Sequence, residues 1–120
     1  MRLSQIQGVI NDLLDFRGYV NPISRIWLKN EFEINLINGK INYLGEDSIV
    51  GFYKNKRKWF LARIKKLGGK IKDFEEAKII VFGTKEKVKV KYKNKLFEGN
   101  VVYSNLGDGI IASKRGNNKK

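Results

Sequence analysis

The chain has 120 residues, including 25 Lys+Arg against 12 Asp+Glu, and it carries a formal charge of +13 with no histidine or cysteine. This length is typical of a single domain, and so large a charge creates a field that attracts polyanions. The missing residues exclude thiol nucleophiles, disulfides, the usual zinc ligands and histidine-based acid–base catalysis. We therefore expect an acidic partner, nucleic acid before a membrane surface or an acidic protein, and no cofactor.

The N-terminal residues predict a helix over about 4–17, because apolar residues recur there at helical spacing. Ser4 is a candidate N-cap and Gly18 is a candidate stop signal. Asp12 and Asp15 make the polar face acidic, so we expect this helix to back the sheet, away from any polyanion.

The location of the protein is indicated only by what the sequence lacks. The N-terminus is too polar for a secretory leader, and no apolar run reaches the roughly 20 residues of a membrane span. We expect a cytoplasmic protein, or one associated with a virion or nucleoid. Heavy use of Ile, Lys and Asn would suit an AT-rich viral or mobile coding sequence.

Residues 24–53 read as antiparallel strands with the sequences RIWLK, FEINLI, KINYL and SIVGFY. Asn38-Gly39 is the strongest hairpin signal, because a type I′ turn needs positive φ at both of its central positions. The alternation places Phe32, Ile34 and Leu36 on one face of their strand, as expected for a sheet with one wet side.

Residues 56–69 predict a central helix that Gly68 ends through a left-handed cap. Trp59 falls outside the apolar face of this helix and has cations at i−3, i+4 and i+7, so it is a candidate platform for base stacking. The alternative is that Trp59 packs beneath a strand, as large aromatic side chains usually do. The sequence YKNK occurs at 53–56 and 92–95. If both copies are hairpin tips, residues 48–64 form a hairpin instead of a helix.

From Lys85 to Lys95 lysine occupies every second position, with Val88, Val90 and Tyr92 in the gaps. A strand here would turn the gap residues to the core and the lysines to the other face. Successive lysines would lie roughly 6.5 Å apart, close to the phosphate spacing of an extended single strand. The alternative is that these lysines only discourage strand-to-strand aggregation.

The predicted fold class is α+β, with an N-terminal helix, a central helix and two antiparallel meanders in one domain over residues 1–113. The second meander comprises residues 78–82, 86–93, 95–103 and 109–113, and a basic flexible tail follows at 114–120. The segment VKVKYKNKLFEGNVV resembles the strands of small SH3-like or Sm-like barrels, which implies a small barrel in the C-terminal half.

The basic residues are concentrated between Lys54 and Lys95, a stretch that contains sixteen of them and only four acidic residues. Aromatic residues are interleaved with them, and a basic groove with stacking platforms is typical of single-strand binding. Nineteen lysines against six arginines disfavour base-specific readout, because lysine is a point charge without bidentate geometry. The predicted phosphate contacts are Lys87, Lys89, Lys91 and Lys93, faced by a wall of Lys56, Arg57, Lys58, Arg63 and Lys66. The predicted stacking residues are Trp59, Tyr53 and Tyr92.

These patterns favour a non-catalytic protein that binds nucleic acid largely without sequence preference, with single-stranded DNA or RNA slightly favoured over duplex. One alternative is an interaction module or inhibitor that docks on an acidic protein. Another is a metal nuclease, since Glu76-Ala77-Lys78 with Asp47 or Asp73 resembles the closing element of the PD-(D/E)xK nucleases. Here, however, the apolar strand follows the lysine and no Pro-Asp exists, so we expect no catalytic or metal site. An exposed sheet edge would allow two copies to pair.

Overall fold

The computed structural model describes residues 1–16, 28–43, 47–106 and 109–112 and confirms the α+β class. Its helices and strands follow in chain order. They are α1 (Leu3–Asp15), β1 (Phe32–Asn35), β2 (Ile41–Asn42), α2 (Asp47–Lys66), β3 (Phe74–Phe82), β4 (Lys85–Tyr92), β5 (Lys95–Leu106) and β6 (Gly109–Ala112). A short 3-10 helix, Ile71–Asp73, leads into β3.

The strands form one six-stranded sheet in the order β2-β1-β3-β4-β5-β6, and every neighbouring pair is antiparallel. Pairing of β1 with β3 joins the two predicted meanders. Among the described strands β2 and β6 form opposite edges, so the sheet is open and the expected SH3-like barrel does not form. Because α1 and α2 bury the apolar face of the sheet, that face does not need to close on itself.

The alternation predicted for the lysine-rich strand is confirmed. Val88, Val90 and Tyr92 are buried on the face that the helices cover, while the lysines between them point to the other face. Helix α1 packs against β4 and β5. A Cβ at Gly99 would lie 2.8 Å from Leu14 Cδ1, so the missing side chain lets α1 approach β5 closely.

Helix α1 begins slightly earlier than predicted. Its N-cap is Arg2, whose backbone N–H donates to Gln5 Oε1 at 2.7 Å, and Ser4 lies inside the first turn. The helix ends at Asp15. The proposed stop at Gly18, most of the RIWLK strand and the tail at 114–120 lie outside the described residues.

Helix α2 begins at Asp47, nine residues before the predicted start at 56, so the strand predicted for SIVGFY is wrong. The competing hairpin over 48–64 is wrong too. The physical reason is a buried stripe at helical spacing, which crosses the predicted boundary without a break. This stripe consists of Ile49, Phe52, Tyr53, Lys56, Phe60 and Ile64.

The end of α2 is as predicted. Gly68 has φ +83°, and its N–H donates to the Lys65 carbonyl at 3.0 Å. The Gly69 N–H donates to the Ile64 carbonyl at 2.8 Å. Together these bonds form a Schellman cap.

The hairpin at Asn38-Gly39 is confirmed, but its turn type is not the predicted one. Residues 36–39 form a four-residue turn in which only Gly39 has positive φ. Asn35 Oδ1 accepts from the Ile37 N–H at 2.8 Å and so bends the chain earlier. Positive φ at two central residues occurs instead at Lys93 and Asn94, between β4 and β5.

Candidate nucleic-acid interface

The structure places the lysine-rich strand and the predicted facing wall of α2 residues on opposite faces of the sheet. Helix α2 lies on the core face, where Phe60 contacts Phe74 with ring centroids 5.7 Å apart. Lys87, Lys89 and Lys91 point away from that core, to the outer face of the sheet. A groove with the lysine-rich strand on one side and α2 on the other therefore does not form.

The outer face of the sheet is only weakly basic, because acids from neighbouring strands share it. Lys87 Nζ lies 3.7 Å from Glu98 Oε1, and Lys91 Nζ lies 3.6 Å from Glu75 Oε1. These ion pairs reduce the field that the strand would otherwise offer to phosphates.

Two further lysines, one on β3 and one in the β4–β5 turn, do not extend the row formed by Lys87, Lys89 and Lys91. Lys78, on β3, pairs with Glu76 at 3.2 Å and Glu33 at 3.6 Å, and its hydrogen bond with Glu76 raises the pKa of Lys78 above its usual value. Lys93 leaves the row because it lies in the β4–β5 turn, with its Nζ 5.3 Å from the centre of the Tyr92 ring.

Lys56 is fully buried, so the prediction that it contacts phosphate is wrong. Its Nζ donates to Glu86 Oε2 at 2.8 Å and lies 5.2 Å from the centre of the Tyr53 ring. Glu86 in turn accepts from the Tyr103 hydroxyl at 2.7 Å. A cation in the core needs such a partner because unpaired burial is costly. Lys56 is therefore a core residue that joins α2 to β4.

The predicted stacking residues do not present free rings. Tyr53 and Tyr92 are 0% and 2% exposed, so neither ring has a face that a base could reach, and their proposed role is wrong. Trp59 is partly buried: its ring meets Phe16 edge-on at 6.4 Å, and the guanidinium of Arg63 lies 6.0 Å from its centre. Trp59 therefore packs at the margin of the core, against Phe16, and the alternative expected it beneath a strand.

Arg57 and Arg63 are also tied to the fold. The Arg57 guanidinium donates to the carbonyls of Leu36 and Ile37 at 3.1 and 3.0 Å, which fastens the β1–β2 turn to α2. The guanidinium of Arg63 lies against the Trp59 ring. Both side chains are half-buried, so α2 offers a polyanion chiefly its lysines.

Four exposed lysines form what we call the α2 basic surface: Lys54, Lys58, Lys65 and Lys66. At 100° per residue these side chains fall within an arc of about 120°, and they span an axial rise of about 18 Å. No Asp or Glu occurs between residues 48 and 72, and the described residues offer these lysines no ion pair. Sequence reasoning named Lys58 and Lys66 but missed Lys54 and Lys65. Extending the helical period back to residue 47 would have found Lys54, whereas Lys65 already lay in the predicted helix, on the same face as Lys58.

An apolar patch with lysine beside it lies at one end of the outer face. Cross-strand pairing puts Lys85 between Phe82 and Val102, which are 53% and 45% exposed. Together with Ile80 and Lys87, these residues line a depression of about 230 Å³. The sequence signal was the alternation of β3: since Ile79 and Val81 face the core, Phe82 must face outward.

Among the residues suggested for a nuclease, those whose side chains the structure describes do not assemble a metal site. Glu76 and Lys78 share the outer face and pair with each other. Within the described ranges no group of three or more potential ligands is placed to hold a metal ion.

Helices in the same ranges include none that is long and apolar enough to cross a membrane. Comparisons of the chain with protein-family models, with curated proteins and with solved structures find no match.

Proposed function

We propose that this protein binds nucleic acid without sequence preference and without catalysis, through phosphate contacts made by the α2 basic surface. The observation that carries the proposal is the exposed row of four lysines on α2, unopposed by any acid between residues 48 and 72. Lysine suits such binding, because a flexible point charge can follow a phosphate backbone whatever its bases are.

The expected signature is a strong dependence on salt. Each phosphate neutralised by a lysine lowers the logarithm of the binding constant by about 0.7–0.9 per decade of salt, so four contacts give a slope of roughly −3 to −4. The α2 basic surface has no exposed ring, and on its own it accepts single and double strands alike. A preference for single strands needs a stacking residue elsewhere.

An acidic protein would be attracted by the same lysines. The arrangement supports nucleic acid because the lysines form a row along about three turns of one helix. A nucleic-acid strand offers an evenly spaced line of charge to match it, whereas an acidic protein surface would have to be shaped to fit.

Paired substitutions with equal loss of charge test the proposal. We expect Lys58→Gln with Lys65→Gln to reduce the magnitude of the salt slope by about 1.4–1.8, because two phosphate contacts are lost. Lys78→Gln with Lys91→Gln is the matched control, since these lysines are already paired with acids. The measurement is fluorescence anisotropy of labelled oligonucleotides over a salt series, with poly-glutamate as a competing polyanion.

The comparison between the two variants decides the outcome. Equal slopes for both would mean that net charge, and not the α2 basic surface, drives binding. Stronger binding to poly-glutamate than to the oligonucleotide would move the assignment to an acidic protein.

A further inference from the structure

The apolar depression on the outer face is unusual for a surface strand pair in so basic a chain. Phe82 and Val102 stand at its rim, and Ile80 lies in the next row toward the middle of the sheet. Phe82 is more than half exposed to solvent. Exposed apolar clusters that polar residues border often mark binding sites.

The polar groups around this depression fit a nucleotide. Cross-strand pairing puts Lys85 beside Phe82, and Lys85 makes no ion pair with a described residue. Lys87, whose Nζ lies 3.7 Å from Glu98 Oε1, is opposite Asn100 on β5, so an amide also adjoins the apolar rim. An aromatic face stacks on a base, ammonium groups hold phosphates, and an amide can bond to a base edge.

We propose that the depression around Phe82 binds an unpaired nucleobase, stacked on the Phe82 ring, with an adjoining phosphate held by Lys85. This inference rests on the proposed function and gives it a ligand class, single-stranded nucleic acid. The depression and the α2 basic surface lie on opposite faces of the sheet. A duplex is stiff over about 150 base pairs and cannot turn from one face to the other, whereas a single strand can.

Charge favours a nucleic-acid strand over a second copy of this chain. Two copies meeting at this depression would bring Lys85 of one against Lys85 of the other, and like charges in contact oppose association. A strand supplies both the aromatic ring that fills the depression and the anion that Lys85 requires.

The test compares three ligands of equal length: a single strand, the same strand without bases, and a duplex. We expect the protein to bind the normal strand about fivefold to a hundredfold more tightly than the abasic strand, which is the effect of stacking one base. Phe82→Ala should abolish that ratio, and Phe82→Tyr should keep it. Leu96→Ala, at an exposed apolar residue farther along the same face, is the matched control and should change nothing.

Each contrary result has its own meaning. If the protein binds normal and abasic strands equally, or Phe82→Ala weakens both equally, the base site does not exist although phosphate binding stands. If the protein binds neither the normal nor the abasic strand, the proposed function fails and this inference fails with it. If light scattering shows a dimer that Phe82→Ala dissociates, the depression is an interface between copies.

Discussion

At the scale of single residues, Lys56 and Glu86 show how a very basic chain can place charge in its core. Each occupies an apolar position of its element, Lys56 in the buried stripe of α2 and Glu86 on the core face of β4. Tyr103 supplies a hydroxyl to the same carboxylate at 2.7 Å. Removing one charge would break this ion pair and leave the other charge in the core.

We therefore expect Lys56→Met to lower the free energy of unfolding by about 3–5 kcal/mol. The double variant Lys56→Met with Glu86→Leu should lose much less, because neither charge is then stranded. Urea unfolding followed by circular dichroism measures both. Lys58→Met is the control: it makes the same change at an exposed position of α2, and it should stay within about 0.5 kcal/mol of the parent. A cost for Lys56→Met no larger than that would show that the pair is not structural.

At the scale of elements, the two ends of α2 differ in whether the backbone conformation requires a glycine. Gly51 lies in the helix on its exposed side, where a Cβ would meet no atom within 4 Å, whereas Gly68 has φ +83° in the cap. Gly51→Ala should stabilise the protein by about 0.8–1 kcal/mol through helix propensity. Gly68→Ala should destabilise it by about 1 kcal/mol through left-handed strain. The midpoints of thermal and urea unfolding should rise for Gly51→Ala and fall for Gly68→Ala. A rise for both variants would contradict the left-handed cap at Gly68.

Helix α2 and strand β4 show which features can be predicted from the local sequence. Strict alternation in β4 and the Gly68 cap were readable, because each depends only on neighbouring residues. The sequence YKNK was not: at 92–95 it forms a hairpin turn and at 53–56 it is helical. The charge of Lys56 hid the continuous stripe of α2, because its ion-pair partner Glu86 lies thirty residues away in the sequence. The candidate site was half-predictable for the same reason, since exposed lysines could be placed only once the helix was known.

At the scale of the whole molecule, the sheet separates a strongly basic side from a weakly basic one. The four lysines of the α2 basic surface form no ion pair with a described residue, whereas Lys78, Lys87 and Lys91 on the outer face pair with glutamates. A field spread evenly around a molecule of charge +13 would draw a polyanion to any side. Binding confined to one surface requires this local difference in charge between the two sides.

Lysine acetylation with and without a bound strand distinguishes binding at the α2 basic surface from binding to any side of the molecule. We expect an abasic strand to reduce acetylation of Lys54, Lys58, Lys65 and Lys66 several-fold, because phosphates cover them, and to leave Lys91 unchanged. Lys56 should be unreactive in both states, since it is 0% exposed, and it serves as an internal control for folding. Replacing the abasic strand by a normal one should add protection at Lys85 only if a base reaches Phe82. Equal protection of Lys91 and the α2 lysines would mean that the net charge of the molecule, and not one surface, holds the strand.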